Sequence, residues 1–373
     1  VVLAIQKTPL LNIFTSLGML PWIMIFFLLY NLWRGRRRDL ALLAIPFLTI
    51  AVCLVSPDNG NSRYVMPMFY LLPFLFVLEL LPGRDEREDE KALVLQTDFG
   101  LGDGAVSAMY GVAYSVSEDL MVADLTHEIP QYDIWEASYR LIQTVAYWPK
   151  GTVFVSVVDP GVGSTRRSIA VETVTGQYII TPDNGTLTHV KKMIGIRSAR
   201  IIDESVNRLP NSGESYTFHG RDVYVYTGAR LAAGVIDFAG VGPEVDTDSV
   251  IELSTVDAVY DGEKVCGTID VLDVRFGSLW TNISRETFRK LGVEYGSRVE
   301  IVIENETRIL YKNILVFAES FAKVSVGEAL VYINSLDNIA VAINQGSFAR
   351  AYSIGTGTNW RITVRRAPRV IYE

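Results

Sequence analysis

The run TVFVSVVDPGVGSTRR, residues 152–167, decides the fold. Its first seven residues are mostly β-branched and apolar with no polar face, the composition of a strand covered on both sides of a sheet. Pro160, Gly161 and Gly163 then force a tight loop with exposed backbone N–H groups. Asp159 stands at the strand end, and Arg166 follows within the loop. By residue type this pair is either a functional couple or an ion pair bracing the loop. The GK[ST] ending of a P-loop is missing, and the spacing is not GxGxxG.

Working outward from this strand, β-like and helical runs alternate. Residues 92–97 (ALVLQT) and 120–125 read as strands, and 104–117 and 133–148 as helices. Two more β-like runs follow at 168–174 and 178–181, then helical stretches near 187–193 and 221–233. This pattern predicts a sheet with helices on its faces, an α/β domain over 92–247. Beyond about Val250 helical periodicity fades. Short β-rich runs at 264–271, 298–303, 310–316, 329–333 and 340–343 predict an all-β barrel domain over 255–373.

In open α/β sheets ligands sit at the carboxyl ends of strands, and polar residues gather there. Residues 97–103 (TDFGLGD) follow the first strand, and Asp98 and Asp103 can turn toward one ligand. Carboxylates suit vicinal hydroxyls, though a Mg²⁺ site or a plain Asx turn has the same spacing. FHGRD, residues 218–222, places His219 at a helix start, where a side chain titrating near neutrality can move a proton. His127 follows a strand and reads as structural. His189, with Lys191 and Lys192 beside it, is expected on the surface. In the β domain, residues 273–282 (DVRFGSLWTN) and 344–347 (NQGS) read as turns whose amide and backbone groups can meet the edge of a base.

The first 82 residues differ from the rest. The chain is 49% hydrophobic with a mean hydropathy of +0.23, and the excess lies here. Apolar stretches at 10–33, 40–55 and 64–81 predict about three transmembrane helices over 1–82. Arg34, Arg36, Arg37 and Arg38 put the first loop in the cytoplasm and carry the remainder of the chain to that side. The expectation is a membrane-anchored protein with a cytoplasmic catalytic domain, joined by a charged linker at 83–91 (GRDEREDEK), or a cytoplasmic one if the apolar piece is an artefact of assembly. The sequence begins with Val1 rather than Met, as a piece of a longer product would. A net charge of −8 argues against a nucleic-acid partner. Two distant cysteines and three histidines without a cluster argue against a disulfide framework and a metal site.

Taken in order, TDFG (97–100) with Asp103, HEIP (127–130), DPGVGSTRR (159–167), PDNG (182–185), FHGRD (218–222), FGSLWTNI (276–283) and NQGS (344–347) resemble one family. It is that of the S-adenosylmethionine (SAM) hydrolases, or SAM hydroxide adenosyltransferases, relatives of the SAM-dependent fluorinase and chlorinase. The resemblance covers about residues 92–351. It implies an α/β domain, a C-terminal β-barrel, and a homotrimer with sites between one subunit's N-terminal domain and its neighbour's barrel. It implies a hydrolytic triad of Asp159, Arg166 and His219, with Asp159 and His219 taking up the proton of an attacking water. It also implies that Asp98 holds the ribose diol with Asp103 close by, and that Tyr132 lines the ribose and sulfur region. Asp273, Ser278, Trp280, Ser335 and Asn344 match positions around the methionine and the adenine. SAM is then the substrate, and no cofactor is required.

This chain departs from the family at Ser278, where hydrolases usually carry Asn, and at Leu336, where halogenases carry Arg after the serine. Asp159 stands where the fluorinase has Tyr, and His219-Gly220 where it has Tyr-Ser. Both favour a water over a halide. The alternatives are a SAM-dependent halogenase, a membrane-tethered module that binds SAM without turnover, or a passenger domain on an unrelated membrane segment.

Overall fold

The computed structural model describes residues 92–214 and 216–368, together with Ile25 and Leu29. The predicted spans at 10–33, 40–55 and 64–81 and the charged run at 83–91 lie outside these, the two isolated positions apart. Among the described residues no helix is long and apolar enough to cross a membrane.

Leu93–Thr97 (β1) and Val153–Val157 (β3) are buried at every position. They pair in parallel with Thr97 opposite Val157, so their carboxyl ends leave the sheet side by side. Val122–Thr126 (β2) flanks β1. Tyr178–Pro182 (β5) runs parallel to β3, and Ser168–Thr173 (β4) lies antiparallel between it and Ile196–Ile201 (β6). With Glu244–Val245 (β7) the order is β2-β1-β3-β5-β4-β6-β7.

Alternate residues of a strand face opposite sides, and the core divides accordingly. Leu93 and Leu95 point to one face, under Ala105–Val116 (α1) and Tyr226–Ala232 (α4); Met109, Val225 and Ala229 cover them. Val94 and Phe154 point to the other, under Ile134–Thr144 (α2) and Thr188–Met193 (α3), where Leu141 and Val190 meet them. Asp133 caps α2 by accepting from the Glu136 N–H at 2.9 Å. Gly228 lets α4 lie on the sheet: a Cβ there would come within 2.6 Å of Val155 Cγ2.

The second sheet closes on itself. Its strands are Val259–Tyr260 (β8), Lys264–Leu272 (β9), Leu279–Ser284 (β10), Arg298–Glu304 (β11), Ile309–Phe317 (β12), Ala329–Ile333 (β13), Asn338–Ile343 (β14) and Gly357–Arg366 (β15). The order is β10-β14-β13-β12-β11-β15-β9-β8, and β9 also pairs with β10. One side of β9 carries β8 over its first half and β10 over its second, which completes a barrel around Ile269, Leu279, Val299, Ile301 and Val341. The expected α/β-plus-barrel arrangement is therefore present.

The α/β half and the barrel meet at α2. Trp135 Nε1 donates to the Asp270 carbonyl at 2.7 Å, and Arg140 Nη2 to that of Leu272 at 2.9 Å. Tyr139 and Ile142 pack on Val271, with Trp280 and Leu336 against them.

Besides the two-residue β7 and β8, three strands escaped the sequence reading. β6 (IRSARI) and β15 (GTNWRITVRR) carry arginines and polar residues, and β10 (LWTNIS) follows a turn so closely that the whole of 273–282 reads as one. Each becomes a strand because two partner strands satisfy its backbone. His189 is a correction of a different kind. It is not on the surface but only 5% exposed. Ser138 Oγ meets its backbone N at 3.0 Å and its Nδ1 at 2.9 Å, and its ring stands edge-on to Trp135 and Tyr139. The neighbouring lysines reach outward to Glu252 and Asp257.

Candidate active site

Because β1 and β3 are adjacent and parallel, the turn after one and the loop after the other share an edge. The β1 turn is pinned from below. Gly100 N–H donates to the His127 carbonyl at 2.8 Å, and Thr97 Oγ1 lies 2.8 Å from His127 Nδ1. His127 Nε2 in turn contacts Asp124 at 2.8 Å, which also accepts from Tyr110 at 2.6 Å. His127 is thus structural, as expected. Asp98 accepts from the Tyr132 N–H at 2.9 Å, and Asp103 from the Ala105 N–H at 2.8 Å. Asp98 thus ties the β1 turn to the loop at Tyr132, Asp103 forms a local turn before α1, and both line the same cavity. Tyr132 sits at φ 68° with its ring largely exposed.

At the end of β3, Asp159 and Arg166 form a two-pronged ion pair. Arg166 Nε donates to Oδ1 at 2.6 Å and Nη2 to Oδ2. Their side chains are 5% and 12% exposed. Such forked pairs fix orientation as well as charge. The guanidinium also lies 5.7 Å from the centre of the Tyr224 ring. Burial pushes the Tyr224 phenol well up, so it stays neutral under Arg166.

His219 enters from the third side. It precedes a π-helical segment, Gly220–Val225, that runs into α4; such segments recur at functional sites. Gly220 is what allows the approach, since a Cβ there would lie 3.3 Å from the Phe99 ring and 3.4 Å from Val157. His219 Nε2 is 2.9 Å from Arg208 Nη2. Its Nδ1 is buried and has no hydrogen-bond partner among the described residues. Burial holds the imidazole below its usual pKa. Glu204 opposes this, Arg208 and Arg166 add to it, and Asp159 opposes it.

The resulting cavity of about 450 Å³ brings together Asp98, Asp103, Tyr132, Asp159 and His219, with Phe99, Val157, Val162 and Phe218 as apolar wall. Arg166 stands behind Asp159. The barrel residues do not join it within one chain. Asp273 accepts from the N–H groups of Arg275 and Phe276 at 3.1 Å, as in an ordinary turn. Ser278 is buried, Ser335 is exposed, and Trp280 packs at the joint with α2. Asn344 donates to the Val324 carbonyl at 2.9 Å. Among the described residues no three His, Cys, Asp or Glu side chains are grouped to hold a metal.

Sequence reasoning missed Arg208 and Glu204, which support His219, and Phe99, which meets Phe218 edge-on at 5.7 Å. The Glu204/Arg208 spacing of four was the only signal for the first pair, and a chain position eleven residues before His219 gives no hint of contact.

Comparison with known proteins places this geometry. Residues 93–242 match the SAM hydroxide adenosyltransferase N-terminal domain and residues 267–361 its C-terminal domain. Residues 1–93 match a family of unknown function, DUF6020. An (R)-S-adenosyl-L-methionine hydrolase of Salinispora tropica is 34% identical over 275 residues, 72% of this chain and 95% of the relative. A fluorinase of Actinopolyspora mzabensis is 28% identical over 295 residues, 73% of this chain and 96% of the relative. The crystal structure of an uncharacterised conserved protein from Thermotoga maritima superposes with a TM-score of 0.67 at 31% identity, covering 74% of this chain and all of that one. Over residues 93–361 the chain belongs to the SAM hydroxide adenosyltransferase family.

Proposed function

We propose that the protein hydrolyses S-adenosyl-L-methionine to adenosine and L-methionine. The observation that carries this is the Asp159 carboxylate, gripped at both oxygens by Arg166 and set on the wall of a cavity with Asp98, Asp103 and His219. Its volume of about 450 Å³ is ordinary for a small-molecule site. Hydrolase relatives at 31–37% identity support the reaction class.

The chemistry is a displacement at ribose C5′. Water forms the O–C5′ bond, the C5′–S bond breaks, and its electron pair neutralises the sulfonium. Methionine leaves uncharged and needs no general acid. The weak nucleophile is the obstacle, so Asp159 orients the water and receives its proton, a contribution of about 10²–10⁴-fold. Arg166 holds that carboxylate in place, His219 completes the water's surroundings, and Asp98 takes the ribose diol with Asp103 and Tyr132 beside it. Alignment of water, carbon and sulfur supplies a comparable gain.

The barrel residues Asp273, Ser278, Trp280, Ser335 and Asn344 fit this scheme if a second copy presents them, as in a homotrimer. That the single-chain cavity is walled by residues 98–220 alone supports this. Sedimentation of the active protein tests it, and full activity in a monomer would reject it.

The fluorinase relatives keep one other reading in play, attack by halide. A carboxylate at position 159 repels a halide, which favours water. Incubating the full chain with SAM in chloride and ¹⁸O-water separates the readings by chromatography and mass spectrometry. Labelled adenosine with methionine is expected. A chloro-nucleoside would replace hydrolysis with halogenation, and tight SAM binding without products would leave a binding module.

A further inference from the structure

Which nitrogen of His219 carries its proton decides what the residue can do. Its Nε2 lies 2.9 Å from Arg208 Nη2. A guanidinium only donates and is never deprotonated in proteins, so Nε2 must accept. The single proton of a neutral ring is then on Nδ1, the buried nitrogen without a partner among the described residues, on a side chain of the cavity wall. Arg208 is itself held in place. Its Nη2 and Nε reach Glu204 Oε2 at 2.9 and 3.3 Å, and its guanidinium lies 5.1 Å from the centre of the Tyr216 ring.

The charged groups around His219 are Arg208 and Glu204 from the preceding loop, and Asp159 and Arg166 from the loop after β3. Two are cations and two are anions, so burial decides the balance and keeps the ring neutral at pH 7. A neutral ring whose Nε2 lone pair is already engaged has no free lone pair with which to take a proton.

We propose that Arg208 is a positioning residue that locks His219 into its Nδ1–H tautomer, so that His219 takes up no proton and Asp159 is left as the sole proton acceptor. The second half rests on the hydrolase reading above. It revises the expectation that Asp159 and His219 share the proton. Water attacks C5′, the C5′–S pair goes to sulfur, and the water's proton passes to Asp159 and then to solvent. His219 keeps its own proton on Nδ1 throughout.

The test uses ¹⁵N-histidine-labelled full chain without substrate, read by two-bond ¹H–¹⁵N correlation. The chain has three histidines, and His219→Asn identifies the signal. We expect the Nδ1–H pattern in the native chain and in Arg208→Lys, which keeps a charged donor. In Arg208→Met the ring should shift toward the Nε2–H form and titrate at higher pH, because a nearby cation is gone. There kcat should fall on the order of 10²-fold with KM little changed, and the acid limb of the rate profile should move up in pH. An Nε2–H pattern in the native chain overturns the lock, and so does an unchanged tautomer and titration in Arg208→Met. If Arg208→Met fails to fold, the native and Arg208→Lys spectra still decide. An Nδ1–H ring in a chain that releases no adenosine sinks the hydrolase reading alone. An Nε2–H ring in an active hydrolase sinks the lock alone.

Discussion

Asp159 is the residue on which the chemistry turns, and its variants must be chosen with its partner in mind. Asp159→Ala strips Arg166 of its counter-charge in a nearly closed site, which typically costs about 3–5 kcal/mol of stability. Asp159→Asn keeps the shape and removes the base. We expect it to lose about 10²–10⁴-fold in turnover while still binding SAM by calorimetry; near-native turnover would remove Asp159 from the mechanism. Asp98→Ala should raise KM. A hydrogen bond to a charged group is worth about 1.5–3 kcal/mol, which is roughly 10–100-fold. An unchanged KM would reduce Asp98 to a tie between two loops, the job it already does for Tyr132. From residue types alone, Asp159 and Arg166 were equally good as a functional couple or a loop brace. The structure shows one ion pair on the wall of a cavity, so bracing and presentation are the same act.

At the scale of elements, the site depends on how closely the segment from Gly220 to Ala232 lies on the sheet. Gly228→Ala puts a methyl 2.6 Å from Val155 and 3.1 Å from Leu93. Overpacking of this sort costs about 1–3 kcal/mol, so the denaturation midpoint should fall, and turnover with it if the helix start carrying His219 is displaced. A midpoint equal to that of the native chain would mean the contact relaxes without strain. The buried strands β1 and β3 were readable because every residue of each is covered and therefore apolar or small. β6 and β15 were not, because their arginines pair across the sheet with Glu172, Glu244 and Glu300 on neighbouring strands. No window of sequence contains those partners.

Over the whole molecule, the joint between the α/β half and the barrel buries two titrating groups of opposite habit. Burial, helped by Lys192, pushes His189 down to about 4. Burial pushes Asp270 up to about 6, opposed by Thr268 and Lys192. As pH falls from 6.5 to 4, the unfolded chain gains a proton at His189 that the folded chain refuses, and stability drops. As pH falls from about 6 to 3.8, the folded chain gains one at Asp270 that the unfolded chain refuses, and stability rises. At about 1.4 kcal/mol per pH unit, each effect is on the order of 3 kcal/mol, and the two nearly cancel. Urea unfolding across this range should therefore show Asp270→Asn losing about 3 kcal/mol on acidification and His189→Gln gaining a similar amount. Identical pH profiles for both variants and the native chain would contradict the burial of these groups. The sequence misplaced His189 because its neighbours are lysines, and a helix of six residues turns the two kinds of side chain to different sides.

By itself the sequence determined the fold class and the polar strand ends, since both follow from local composition: apolar runs make covered strands, and glycine, proline and aspartate break them. It also held the motifs that identify the family. Only the tertiary structure decided which polar groups meet. It drew Asp98, Asp159 and His219 into one cavity, set Arg208 against His219, and sank His189 and Asp270 into a joint. Those outcomes depend on distances between residues far apart in the chain, and a protonation state is fixed by what lies within a few ångströms rather than by what comes next in the sequence.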